Sequence, residues 1–119
     1  MKSLRLAVAL VFALALAGCR AHVVKINLTN TSTEPIKTII VDYPDATFGK
    51  DTLAPHETYF SLVKPVDKGP IKVRFTDAQG GNHAYESISL QQGDEGSVNI
   101  KLTQTSAETG YDLARLGKK

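Results

Sequence analysis

The sequence predicts an all-β chain folded as an antiparallel β-sandwich of about six to seven strands. Three observations point there. Apolar residues alternate with polar ones in several short runs, as in Val24, Ile26 and Leu28 or Ile71, Val73 and Phe75. Turn-forming clusters rich in Gly, Pro, Asn and Asp separate those runs. Between Val23 and Leu102 nothing repeats with helical periodicity.

The chain opens differently. Lys2 and Arg5 give a basic start, and Leu6 to Leu16 is entirely apolar. A membrane-spanning helix needs roughly 20 apolar residues. This run is shorter and suits the helical apolar region of a signal peptide spanning residues 1–18, with small residues at Ala17 and Gly18. The stretch Leu16-Ala17-Gly18-Cys19 resembles the lipobox of bacterial lipoproteins and contains the only cysteine of the chain. The resemblance implies cleavage between Gly18 and Cys19, a diacylglyceryl thioether on Cys19 and acylation of the new amino terminus. A thiolate is the best side-chain nucleophile for such an alkyl transfer. Two or more acyl chains, palmitate among them, anchor a protein durably where one does not. The same family rule reads Asp after the cysteine as an inner-membrane signal. Arg20 stands there, which implies the periplasmic side of the outer membrane in a Gram-negative envelope.

Loss of residues 1–18 would leave 101 residues, enough for one domain, with twelve basic and twelve acidic side chains. This balance gives no concentrated basic footprint for nucleic acid. With Cys19 lipidated, no thiol remains for a disulfide, a thiolate–metal site or cysteine catalysis.

Residues 19–22 form a short tether, and the sandwich is expected over 23–102. His22 to Asn30 reads as its first strand, buried along Val24, Ile26 and Leu28. Asn30 to Pro35 is a turn, built from side chains that bond the local backbone. Asn27-Leu28-Thr29 and Asn30-Thr31-Ser32 match a glycosylation pattern, which strand and turn chemistry explain without a glycan. Ile36 to Tyr43 reads as a central strand covered on both faces, with Ile39, Val41 and Tyr43 on one side and Ile40 on the other. Thr47 to Lys50 is a short strand or an extended loop, with Phe48 touching the core. Leu53 to Thr58 is a tight corner before a strand over Thr58 to Val63, and Lys64 to Pro70 turns again.

Ile71 to Thr76 is the plainest strand, and Asp77 to Asn82 is a hairpin connection in which glycines can take positive φ. His83 to Leu90 returns, with an ambiguous face and room for a bulge. Gln91 to Gly96 turns, and Ser97 to Leu102 closes the set with Val98, Ile100 and Leu102 inward. Residues 103–119 are polar without strand alternation, and are expected to form a flexible or partly helical tail.

Together, Asn30 to Pro35, Tyr43-Pro44, Phe48-Gly49, Leu53-Ala54-Pro55, the strand Val73 to Thr76 with Asp77, and Gly93 to Gly96 resemble small immunoglobulin-like modules of bacterial envelope proteins. Such modules often carry Gly where His56 follows Pro55 here. The resemblance implies an immunoglobulin-like sandwich and supplies no catalytic residue.

No catalytic, metal or cofactor site is predicted. His22, His56 and His83 sit on different elements without ligand spacing. Ser61 lacks a nucleophile elbow, although a set of Ser61, His56 and Asp51 can be written down. Asp77 to Asn82 and Gln92 to Glu95 lack the spacing of a calcium loop. Phe48 to Thr52 lacks the glycine and hydroxyl of a phosphate loop.

One binding candidate remains. Tyr59 and Phe60 are adjacent, so on a regular strand one of them points away from the core. That aromatic either caps the sandwich or packs under the tail, or it is a contact surface for an envelope protein partner. The expected protein is therefore a non-catalytic, membrane-anchored lipoprotein acting by protein–protein contact. The alternative is a small-ligand or glycan binder using loops at one end of the sandwich.

Overall fold

Alternating apolar residues bury one face of a strand, and two such faces must cover each other. The computed structural model, which describes residues 22–115, does this with eight strands. They are β1 (Val24–Asn30), β2 (Ile36–Tyr43), β3 (Ala46–Leu53), β4 (Thr58–Val63), β5 (Gly69–Thr76), β6 (Asn82–Leu90), β7 (Asp94–Leu102) and β8 (Ala107–Arg115). One sheet has the order β4-β1-β7-β8 and the other β3-β2-β5-β6. All pairings are antiparallel except β1 with β7, which run parallel with Ile26 opposite Val98. The expected helical signal peptide, the Gly18–Cys19 cleavage position and the lipid acceptor Cys19 lie outside the described residues.

The core is the inner face of both sheets. Val24, Ile26, Leu28, Val98, Ile100 and Leu102 from one sheet meet Ile36, Ile39, Val41, Ile71, Val73 and Phe75 from the other, all buried. Each such side chain contributes about 1.5–3 kcal/mol on burial.

Three expectations change. The polar segment 103–119 contains a strand, β8, rather than only a tail. Backbone pairing with β7 forms it, and its inward side is thinly apolar. Leu102, Ile100 and Val98 oppose Ala107, Thr109 and Tyr111, and Ala107 and Leu113 pack on the core. Side chains then tie β8 and the loop before it to the opposite sheet. Ser87 Oγ lies 2.6 Å from Thr109 Oγ1, and the Tyr85 hydroxyl donates to the Thr105 carbonyl.

The second change concerns β3, which is a full strand paired with β2 from Tyr43↔Ala46 to Ile36↔Leu53. The third is in β2, which is central in its sheet yet covered on one face only. A register shift between Lys37 and Ile40, with Thr38 at φ 51°, keeps Ile36 and Ile39 both inward. Ile40 therefore points outward, beside Gly49 and Arg74. The bulge allowed for in the sixth strand is present as a shift in the β5–β6 register between Pro70 and Lys72. It leaves both Tyr85 and Leu90 facing inward.

Candidate functional site

Strand alternation decides what β4 shows to solvent. Tyr59 lies opposite Leu28, Ser61 opposite Ile26 and Val63 opposite Val24, so these three face the core. Phe60 and Leu62 lie opposite Asn27 and Lys25 and face outward. Phe60 keeps 51% of its surface exposed and Leu62 61%. The outward aromatic of the adjacent pair is thus Phe60, and Tyr59 is the inward one. Tyr59 packs 6.4 Å from the Phe48 ring, centroid to centroid, and Phe48 in turn lies 6.3 Å from Tyr43.

Two lysines frame the strand. Lys25 Nζ sits 4.3 Å from the Phe60 centroid, and Lys50 Nζ lies 5.1 Å from the Tyr59 centroid. A cation over a ring face at such distances contributes about 0.5–1 kcal/mol at an exposed site. The rest of this outer face is a flat polar ladder. Asn27 Nδ2 donates to Asn99 Oδ1 at 2.9 Å, and Thr29 Oγ1 lies 2.9 Å from Thr58 Oγ1. Phe60 and Leu62 are the apolar break in it.

The histidines do not converge. His22 approaches Glu95 at 3.8 Å near the start of β1. His56 is exposed at the β3–β4 corner with φ 64°. Glu57 N–H donates to the Ala54 carbonyl at 3.0 Å, so Ala54 to Glu57 is a turn with Pro55 second and His56 third. A positive φ at that third position belongs to a type II turn, where glycine is the favoured residue. His83 Nε2 pairs with Asp77 Oδ2 at 2.8 Å. Among the described residues no three His, Cys, Asp or Glu side chains are grouped to hold a metal. Ser61 faces the core roughly 10 Å of extended strand beyond Thr58, while His56 stands exposed outside the strand.

Sequence reasoning missed a polar network at the end of the sandwich carrying residues 31–35, 54–57, 77–81 and 103–106. Asn30 is fully buried at its centre. Its Nδ2 donates to the carbonyls of Glu34 at 2.8 Å and Leu53 at 3.0 Å. Its Oδ1 accepts from Ser32 N–H and Ser32 Oγ. Gln104 bridges the neighbouring loops. It accepts from Ala78 N–H at 2.8 Å and donates to Ser32 Oγ at 2.8 Å and to the Glu34 carbonyl at 3.0 Å.

Asp77 Oδ1 accepts from the N–H groups of Gln79 and Gly81. A Cβ on Gly81 would fall 2.7 Å from that carboxylate. The hydrogen bond from His83, supported by those of Gly81 and Gln79, holds the Asp77 carboxyl below its usual range. His83 stacks on Phe75, centroids 5.1 Å apart. The spacing Asp77-to-His83 was readable, but only the hairpin register brings the two together. The loop's carboxylate is thereby spent on its own backbone and on His83.

The outer face of the second sheet carries two open depressions of about 320 Å³ each, meeting at Arg74 and Ala84. Asp42 flanks one and is already engaged by Arg74 Nη2 at 3.2 Å and by Thr47 Oγ1. At the opposite end from the network, Asp45 and Asp67 line a third hollow of about 340 Å³. A shared hydrogen bond with Asp67, aided by burial and like charge, raises the Asp45 carboxyl. All three hollows are open rather than enclosed. No helix among the described residues is long and apolar enough to cross a membrane. Comparison with protein-family models, curated proteins and solved structures found no match.

Proposed function

We propose that this chain is a lipid-anchored, non-catalytic protein of the bacterial cell envelope, an immunoglobulin-like module that works by protein–protein contact through the outer side of β4. The observation that carries the contact reading is the pair Phe60 and Leu62, exposed side by side on an edge strand. Exposed aromatic anchors beside an open strand edge fit recognition by strand addition.

The anchor reading rests on Leu16 to Cys19. Four residues separate Cys19 from Val24, at most about 17 Å of chain from one Cα to the other. Under this reading the start of β1 stays within that distance of the bilayer. The periplasmic side of the outer membrane is the compartment implied in a Gram-negative cell. The ligand-binding alternative is weaker, because the hollows are open and Asp42 beside them is already paired.

The test is a Cys19→Ala chain expressed in the envelope. Intact mass and fractionation should show loss of the acyl groups and of membrane retention. A Cys19→Ala protein that stays acylated and membrane-bound would overturn the anchor.

A further inference from the structure

The sandwich has four edge strands, β4 and β8 in one sheet, β3 and β6 in the other. Proteins blunt exposed edges with charge, proline or irregular backbone, because a row of free N–H and C=O groups templates further pairing. Three of the edges follow that rule. β3 contains Gly49, Lys50 and Asp51, β6 contains Glu86, and β8 contains Glu108, Gly110 and Asp112. β4, with the sequence Thr-Tyr-Phe-Ser-Leu-Val, has no charge, glycine or proline. Among the described residues its backbone ladder runs to β1 alone.

We infer that the occupant of this edge is the β4 strand of a second copy of this chain, paired antiparallel about a twofold axis at Ser61. This rests on the contact reading of β4 and not on the lipid anchor. Residues directly opposite each other in an antiparallel pair share a face. With Ser61 on the axis, Phe60 of each copy lies opposite Leu62 of the other on the outer face. Tyr59 lies opposite Val63 on the inner face. Every apolar residue of the strand then meets an apolar partner, and the two sheets join into one of eight strands.

The flanking charges select the antiparallel sense. Glu57 precedes β4 and Lys64 follows it. Antiparallel pairing brings Lys64 of one copy opposite Thr58 of the other, one residue from Glu57. In-register parallel pairing would instead set Lys64 beside Lys64 and Glu57 beside Glu57, with like charges opposed. A twofold contact also closes on itself, so it makes a pair and not a fibre. One strand pair is smaller than the about 800 Å² per partner of a standard interface. Association is therefore weak in dilute solution and strengthened wherever copies are held together on one surface.

The test places the photo-crosslinking residue p-benzoyl-phenylalanine at position 60 of the full-length chain, with illumination in the cells that express it. The expected product has twice the mass of the chain, joined through residues 58–64 of the second copy. Leu62→Lys puts a charge into an exposed edge position, leaves the core untouched and should lower that product about tenfold. Leu62→Val should retain it, and the same crosslinker at Tyr111 on β8 should not give it. Crosslinks from position 60 to other proteins only would overturn the second-copy inference and leave the contact reading standing. No crosslink from position 60 would overturn both.

Discussion

The two ends of the sandwich are built on different terms. At the end carrying residues 31–35, 54–57, 77–81 and 103–106, side chains reach across loops. Asn30 joins the β1–β2 turn to the end of β3. Gln104 joins the β7–β8 loop to two others. Asp77 cradles its own hairpin. At the end carrying 44–45, 64–68 and 91–93, backbone conformation takes over. Asp45 has φ 75°, and Gly93 and Gly96 have φ 86° and 134°. A Cβ on Gly96 would lie 2.1 Å from the Asp112 carbonyl oxygen. Gln91 N–H donates to Asp94 Oδ2 at 3.0 Å within one turn, His22 Nδ1 approaches Glu95 at 3.8 Å, and Asp45 and Asp67 set like charges together. One end is cross-linked and the other is shaped, although the same core lies beneath both.

The largest test of that difference is Asn30→Ala. It removes the Asn30 side-chain donor from the Leu53 carbonyl and the Asn30 acceptor from Ser32 N–H and Oγ, at about 1–3 kcal/mol for each buried group left unpaired. We expect a loss of about 3 kcal/mol in urea unfolding and a melting midpoint lower by more than about 10 °C. A loss under about 1 kcal/mol would mean that the cross-linked end is not held by its side chains.

His56→Gly sharpens the comparison from the other side. It relieves a left-handed residue at the exposed corner, and we expect a gain of up to about 1 kcal/mol in the same measurement. A loss would show that His56 makes a contribution beyond turn geometry.

The smallest effect separates the ends by pH. Asp45, raised by Asp67, carries a cost at neutral pH that is relieved as pH falls through its raised value. Asp77, lowered by His83, contributes stability that is intact above the ordinary carboxylate value near 3.8 and is lost as pH falls further. On acidification the shaped end should tighten first, and the cross-linked end should then loosen. Amide exchange followed by NMR between pH 6 and about pH 3 checks this. Movement of both ends in the same direction would refute it.

Much of this was legible before any coordinates. The runs Val24 to Leu28, Ile71 to Phe75 and Val98 to Leu102 carry their inward faces in plain alternation, and all are buried as read. β8 was not legible, because it packs only Ala107 and Leu113 on the core, with Glu108, Gly110 and Asp112 between them and Tyr111 exposed. It is held by its backbone ladder to β7 and by the contact of Thr109 with Ser87 on the opposite sheet. Ile40 misled for the opposite reason. It is apolar but sits on the open face, since the irregularity at Thr38 shifts the strand's phase. For the candidate site, two adjacent aromatics showed that one must face out. Which one followed only from the β1–β4 register. The missing Gly at position 56 marked an unusual corner without giving its angle. Asn30 was read as a turn residue, and nothing local announced that it would also hold the end of β3.

The parallel partnership of β1 and β7 sets the order in which this molecule can assemble. Asn27 and Asn99 are 72 residues apart and hydrogen-bond across those strands. β1 is among the first strands to be synthesised, yet its place between β4 and β7 is completed only when the last quarter of the described chain exists. Contacts of such long span are slow to form, on the millisecond-to-second scale typical of β-sandwiches. Until then, the chain's earliest strand is an open ladder waiting for one of its latest.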